Sequence, residues 1–179
     1  MTSLIVHKTQ LVAIGLVVEA PLRKPSQVMP AAWQSFFARQ HELPGRFQAL
    51  NVRLGANGDV AYEFVGALVP VELEPPPGMR RLVVPANQYI RAIHNGPLAG
   101  IAAGFGGLLD ELKAQDLKDS GIRLDIGYTP GLPAGRHELY VGIARFMPPQ
   151  LGPVIEAASA ESRDAVVEED AESPQDPTG

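Results

Sequence analysis

The order of predicted elements repeats once along this chain, and that repeat limits the possible folds more than any other feature. Residues 4–73 and residues 79–147 each read as a strand, a helix and two further strands joined by a hairpin. A shift of about 78 residues places Gln10-Leu11-Val12 on Gln88-Tyr89-Ile90. The repeat predicts an α+β domain, a duplicated β-α-β-β module with pseudo-twofold symmetry in which antiparallel sheets carry two helices.

Hydrophobic periodicity gives the elements within each half. The apolar stretch 4–19 is rich in β-branched residues, which predicts one long strand. Trp33, Phe36 and Phe37 recur at helical spacing and predict a helix with one aromatic face. The first half is expected to contain a strand, a helix and two strands at 4–19, 26–41, 47–54 and 60–69. The second half is expected to contain the same order at 80–94, 97–115, 122–128 and 137–146.

Charge divides the chain into a folded body and a tail. Residues 156–179 hold eight acidic groups and one basic group, whereas residues 1–155 hold 12 acidic and 14 basic groups. We therefore expect a folded domain over 1–150 and a disordered acidic C-terminal tail over 151–179. Such a tail serves solubility or competes for a basic partner. The nearly neutral body argues against direct nucleic-acid binding.

Several classes of site and location are excluded by residue content. The chain has no cysteine, which rules out disulfides, thiolate nucleophiles and iron–sulfur clusters. The four histidines, at positions 7, 41, 94 and 137, lack metal-ligand spacing, and no phosphate-binding glycine loop occurs, so we expect no metal and no cofactor. No apolar run approaches the roughly 20 residues of a membrane helix, and no signal peptide is visible. We expect a soluble cytoplasmic protein without membrane contact.

Five short motifs carry a resemblance to a known family. A Pro-Gly-Met turn precedes a strand, a proline-small-x-x-tyrosine segment follows, and a histidine-x-glycine-proline segment starts the second helix. The motifs are Gly58-Asp59-Val60-Ala61-Tyr62, Pro77-Gly78-Met79, Val84-Pro85-Ala86-Asn87-Gln88-Tyr89, His94-Asn95-Gly96-Pro97 and His137-Glu138-Leu139-Tyr140-Val141-Gly142-Ile143. In order and spacing they resemble the gyrase-inhibitor-like (GyrI-like) family, which includes effector-binding domains of multidrug-responsive transcription regulators.

The resemblance covers roughly residues 4–147 and implies a fold and a kind of ligand. It implies the same duplicated β-α-β-β module, with bulky aromatic or cationic small molecules bound between the halves by aromatic side chains and an acidic residue. Many members carry Glu-x-Tyr near the fifth strand, whereas this chain has Asp125-Ile126-Gly127-Tyr128. The sequence shows no helix-turn-helix, so we expect a stand-alone module and not a complete regulator.

One carboxylate is the leading candidate for contact with a cationic ligand. Glu138 sits in an apolar strand, and Tyr140 shares its face by the two-residue period of a strand. A carboxylate in a low-dielectric pocket attracts a cation more strongly than in water. The alternative for Glu138 is a solvent-facing charge on a half-exposed sheet. Glu63 has the analogous place in the first half but alternates away from Tyr62 and Phe64.

Aromatic side chains complete the predicted site. Trp33 and Phe37 are the main aromatic candidates of the first helix, with ordinary core packing as their alternative. Flanking aromatic faces add cation–π attraction of roughly 0.5–2 kcal/mol each. The predicted ligand-binding set is Trp33, Phe37, Tyr62, Tyr89, Tyr128, Glu138 and Tyr140.

Three functions remain open at the level of sequence. The first is binding of an effector or drug-like small molecule, aromatic or cationic, in a pocket between the halves. The second is hydrolysis of reactive toxins in that pocket, with Glu138 and a tyrosine as general acid and base; the residues favour a binding protein over an enzyme. The third is a protein-interaction module of the gyrase-inhibitor kind, whose partner contacts an outer face or the acidic tail.

Overall fold

The described residues of the computed structural model, 2–144 and 149–154, form nine β-strands and two α-helices. The strands are β1 (Ser3–Lys8), β2 (Leu11–Pro21), β3 (Ala49–Asn57), β4 (Val60–Leu68), β5 (Arg80–Val84), β6 (Asn87–Gly96), β7 (Asp119–Tyr128), β8 (Gly135–Ile143) and β9 (Gln150–Leu151). The helices are α1 (Met29–Arg39) and α2 (Ile101–Ala114). Of the expected acidic tail, 151–179, residues 155–179 lie outside the described part of the chain, whereas 151–154 are described and Leu151 belongs to β9.

The predicted duplicated α+β fold is confirmed, with both halves joined in one sheet. One half consists of β2, α1, β3 and β4, and the other of β6, α2, β7 and β8. The strand order is β1-β6-β8-β7-β3-β4-β2-β5-β9, and every pairing is antiparallel. The halves meet where β3 pairs with β7, and equivalent strands lie at equal distances on either side of this pair.

Each half receives its outer strand from the other half. β1 precedes the first half in sequence but pairs with β6 of the second. β5 precedes the second half but pairs with β2 of the first. Gln150–Leu151 then pairs with β5, so the described sheet continues past residue 150. The two halves are therefore linked by exchanged strands as well as by the β3–β7 pairing.

The expectation of one long strand over 4–19, and of another over 80–94, is wrong. The first breaks after Lys8 and the second after Val84, and the pieces pair with different partners. Pro85 has no backbone N–H for a sheet hydrogen bond, which accounts for the second break. The first break has no proline or glycine, and β-branched residues on both sides of it give a continuous strand signal.

Apolar side chains are buried on both sides of the sheet. On the helix side, Trp33 and Phe36 pack under α1, and Leu108 and Leu112 pack under α2. A third cluster on the opposite side takes residues from β2 through β8, including Phe64. Both helices lie on one side, so this third cluster is built from side chains of the strands alone.

A pair of facing glycines brings β2 and β4 close together. Gly15 lies directly opposite Gly66 in the strand register. A Cβ atom on Gly15 would lie 2.1 Å from the carbonyl oxygen of Val65, and one on Gly66 would lie 2.4 Å from that of Ile14. These glycines are needed for close backbone approach at this point in the sheet.

Neither of the two helices combines the length and the apolar character that crossing a membrane requires; this applies to the described residues.

Candidate functional site

A cavity of about 580 Å³ lies between the two helices, on the helix side of the sheet. Its floor comes from β3, β4 and β7, beside the junction of the two halves. One wall comes from α1 and the turn before it, and the other from the start of α2, including Ile101 and Phe105. The loop between β7 and β8 closes one end through Leu132. The cavity therefore lies beside the junction of the two halves.

Two stacked aromatic rings form part of the cavity wall. The rings of Trp33 and Tyr128 have centroids 4.1 Å apart and planes inclined by 22°. Phe37 stacks on Trp33 at 5.3 Å and adjoins a separate surface hollow with Pro130 and Leu132. Trp33 is held by its place on the buried face of α1. Trp33 is 2% exposed because Phe37 and Tyr128 cover its two faces, so the half-buried Tyr128 provides the accessible aromatic surface of this stack.

A β-bulge turns Tyr128 toward the cavity. In the pairing of β3 with β7, Ala49 faces Tyr128 but Leu50 faces Ile126, so Gly127 is the extra residue. Gly127 has a φ of 137°, and a Cβ there would lie 2.5 Å from the carbonyl oxygen of Arg136. Glycine is required at this position. Because of the bulge, Tyr128 lies on the same side of the sheet as Asp125.

The first buried carboxylate of the cavity belongs to Glu63 on β4. Its side chain is 4% exposed and accepts hydrogen bonds from Arg53 Nε at 2.8 Å and Asn51 Nδ2 at 3.2 Å. Both partners lie on β3 and line the cavity. This carboxylate is therefore charge-paired within the protein.

The second buried carboxylate belongs to Asp125 on β7. One of its oxygens lies 2.8 Å from Nδ1 of His137, and the other accepts a hydrogen bond from the Tyr128 hydroxyl at 2.5 Å. The side chains of Asp125 and His137 are each 2% exposed. Burial, followed by the charges of Asp125 and Glu63, raises the pKa of Tyr128 well above its usual value. Tyr128 therefore stays neutral and acts as a donor to Asp125.

The seven predicted ligand-binding residues do not form one cluster. Trp33 and Tyr128 line the cavity, and Phe37 packs behind Trp33. Tyr62 is half-buried on the strand face of Phe64, opposite to the cavity. Tyr89 and Tyr140 are buried on the helix-free side of the sheet, with ring centroids 6.0 Å apart.

Glu138 is also on the helix-free side, within a group of basic side chains. It accepts hydrogen bonds from Tyr140 at 2.5 Å, Arg136 at 2.8 Å and Arg91 at 3.2 Å. Lys8 Nζ lies 4.5 Å from the centre of the Tyr140 ring. Burial acts to raise the pKa of Glu138, but the Tyr140 and Arg136 hydrogen bonds and the charge of Arg91 outweigh it and lower that pKa to about 2. Because Lys8, Arg91 and Arg136 lie nearby, the negative charge of Glu138 is already compensated within the protein.

Sequence reasoning misses the polar side of the cavity. Periodicity and composition do not single out Asn51, Arg53 or His137, and they favour Glu138 over Glu63. A signal for Glu63 is present, since it alternates away from Tyr62 and Phe64, but alternation does not say which face meets the helices. Asp125 stands in the motif where the resemblance expects glutamate, so the sequence marks it only as a departure from the family pattern.

Within residues 2–144 and 149–154, no three histidine, aspartate or glutamate side chains come together in a way that could hold a metal ion.

Comparisons with solved structures support the fold. SAV2435 bound to tetraphenylphosphonium matches with a TM-score of 0.59 at 9% identity, over 80% of this chain and 94% of that chain. The EcmrR C-terminal domain matches with a TM-score of 0.58 at 12% identity, over 79% of this chain and 96% of that domain. In the EcmrR–DNA complex, the match spans 57% of the EcmrR chain. A hydrolase from Listeria innocua matches with a TM-score of 0.51 at 8% identity, over 79% of this chain and 91% of the hydrolase chain.

These likenesses confirm the fold expected from the GyrI-like resemblance. No family model matches the sequence, and no curated protein matches it.

Proposed function

We propose that this protein binds a bulky aromatic organic cation in the cavity between its two helices. The observation that carries this proposal is Tyr128, stacked on Trp33, next to the buried carboxylate of Asp125, which has no lysine or arginine partner among the described residues; Glu63 beside it is paired with Arg53. The ring of Tyr128 suits an aromatic ligand, and the unpaired charge of Asp125 favours a positive group on it.

The dimensions and surroundings of the cavity support the same reading. A volume of about 580 Å³ lies in the range of small-molecule sites, roughly 300–1,000 Å³. Met29, Leu98 and Phe105 add apolar surface around the polar floor. Charge interactions near a buried carboxylate are weakly screened, so a single cationic group contributes strongly to affinity. SAV2435, which has this fold, binds tetraphenylphosphonium, and that complex supports the class of ligand.

The test is titration of Trp33 fluorescence with tetraphenylphosphonium and with neutral triphenylphosphine oxide. Trp33 is the single tryptophan, so the signal has one source. We expect saturable quenching by the cation, with affinity at least about tenfold above that of the neutral compound because of the carboxylates. Tyr128→Ala removes half of the aromatic wall and is expected to weaken both ligands.

Glu138→Gln supplies the matched control. It removes a carboxylate on the opposite side of the sheet, where Arg91 and Arg136 already compensate it. We expect unchanged cation affinity in this variant. Equal affinity for cation and neutral compound would contradict the role of the carboxylates, and absence of any saturable response from the folded protein would contradict binding at Trp33.

Hydrolysis is a second candidate because a chain of proton-exchanging groups borders the cavity. Tyr128, Asp125 and His137 are joined by hydrogen bonds of 2.5 and 2.8 Å. Such a chain suits general acid–base chemistry. Glu138, the candidate that the sequence favours, lies on the other side of the sheet. Release of product from a reactive electrophilic ester, lost in Asp125→Asn, would support hydrolysis; binding without turnover would favour the first proposal.

A further inference from the structure

The two cavity carboxylates differ in how their charge is balanced. Glu63 forms an ion pair with Arg53, with Nε and carboxylate oxygen 2.8 Å apart. Asp125 has no ion pair with a lysine or arginine within residues 2–144 and 149–154; its partners are Tyr128 and His137. With His137 neutral, Asp125 therefore carries the uncompensated negative charge of the cavity. With His137 protonated, Asp125 and His137 together are neutral.

Few other charged groups reach the imidazole of His137. From β7 it meets Asp125 at 2.8 Å and the edge of the Tyr128 ring at 4.8 Å between ring centroids. From β6 it faces His94, whose ring centroid is 6.5 Å away and whose Nε2 lies 2.9 Å from the carbonyl oxygen of Pro97. Its neighbours on β8, Arg136 and Glu138, pair with each other on the opposite face.

The start of α2 presents apolar side chains, Leu98 and Ile101 among them, to the same cavity. The Glu63–Arg53 pair is the remaining charged group on the cavity floor. One proton thus decides whether the Asp125–His137 pair is neutral or negative. Both side chains are buried, so water screens the charge of the pair only weakly.

We propose that cation binding in this cavity is coupled to proton release from His137, so that the site holds its ligand near neutral pH and releases it in acid. This inference rests on the proposed function. The cation and the proton on His137 compete for the same negative charge on Asp125. Tyr128 connects them directly, because its ring is part of the ligand wall and its hydroxyl donates to Asp125.

Thermodynamic linkage fixes the sign of the effect. If protonation of His137 weakens cation binding, then bound cation must weaken protonation of His137 by the same factor. Cation binding therefore expels a proton from His137, whereas binding of a neutral ligand does not.

The experiment compares affinities for tetraphenylphosphonium and triphenylphosphine oxide at about pH 8 and about pH 5, using the whole chain. We expect the cation to bind about tenfold more weakly at the lower pH, with the neutral compound unchanged. His137→Asn keeps an N–H donor for Asp125 but cannot titrate, so the pH effect should disappear. His94→Gln removes the other nearby imidazole and should retain the effect.

Calorimetry on the unaltered protein gives a second measurement that does not depend on any variant folding. Binding enthalpies in phosphate and in imidazole buffer, compared at the same pH between about 5 and about 8, should differ by the amount expected for proton release. Equal enthalpies, or equal cation affinity at both pH values, would overturn the coupling while leaving the proposed function intact. No binding of either probe at any pH would overturn the proposed function itself.

Discussion

At the scale of single residues, three tyrosines show how position in the sheet decides what a side chain can do. Tyr128 lines the cavity and donates to Asp125. Tyr140 is on the other side and donates to Glu138. Tyr89 is buried beside Tyr140, and burial raises its pKa to about 12. Its hydroxyl has no hydrogen-bond partner among the described residues. Only the first of these three has a direct path to a ligand in the cavity.

The isolated hydroxyl of Tyr89 leads to a prediction about stability. Burying a hydroxyl without a partner costs about 1–3 kcal/mol, so Tyr89→Phe should raise the free energy of unfolding by about 1 kcal/mol. Urea denaturation followed by circular dichroism measures this change. Tyr140→Phe is the comparison variant, since it removes a hydroxyl that is hydrogen-bonded to Glu138, and it should lower stability. A loss of stability in Tyr89→Phe would show that the hydroxyl is satisfied by water.

The site is predictable from sequence only in part, and the reason is local. The alternation of side chains along a strand correctly places Glu63 and Tyr62 on opposite faces of the sheet, and Glu138 and Tyr140 on the same face. It does not identify which face the helices cover. Tyr128 reaches the cavity side because Gly127 forms a bulge, which simple alternation along β7 does not anticipate. Asp125 and His137 come together from different strands, so neither spacing nor composition reveals their contact.

At the scale of elements, glycines have opposite consequences in β2 and in α2. Gly15 allows the close approach of β2 and β4, whereas Gly107 lies on α2 where an added Cβ atom would have nothing within 4 Å. The same substitution therefore tests two different physical effects. Gly15 is required because neighbouring backbone leaves no room for a side chain. Gly107 has free space around it and only adds conformational freedom to the unfolded chain.

We predict that Gly15→Ala lowers the free energy of unfolding by about 3 kcal/mol, because the new methyl group meets backbone that cannot move aside. Gly107→Ala should raise it by about 0.5–1 kcal/mol through helix propensity. Thermal or urea denaturation of both variants gives the comparison. Near-normal stability in Gly15→Ala would mean that β2 and β4 separate more easily than their packing indicates.

Element order is more predictable than strand boundaries. The helix with Trp33 and both hairpins follow from periodicity and turn residues, and all are present. The stretch 4–19 gives no sign of its division, because residues on both sides of Thr9-Gln10 favour strands equally. Its two pieces are distinguished by their partners, β6 and β4, which are far away in sequence.

At the scale of the whole molecule, strand exchange ties the two halves into one cooperative structure. β1 completes the edge next to β6, and β5 completes the edge next to β2. A half released from the other would lose a paired strand and expose the β3–β7 edge. Independent folding of either half would leave backbone groups and apolar surface uncovered.

This arrangement predicts a single unfolding transition. Trp33 belongs to the first half but stacks on Tyr128 of the second, so its fluorescence reports on the junction of the halves, whereas far-ultraviolet circular dichroism reports on the strands throughout both. We expect the two signals to change at the same urea concentration, as in a two-state transition. Separate midpoints would mean that the halves unfold independently and that the exchanged strands contribute little to cooperation.

The exchange of β1 and β5 has the form of a domain-swapped pair of identical subunits whose chains have been joined. In a true pair of identical chains, any residue that serves the central cavity must appear twice, in equal surroundings. A single chain is free of that constraint. Here one half supplies Asn51, Arg53 and Glu63 to the cavity, and the other supplies Asp125 and Tyr128, with His137 behind them. Joining two copies into one polypeptide therefore lets a symmetric framework hold a site with two chemically different ends, which can orient an asymmetric ligand.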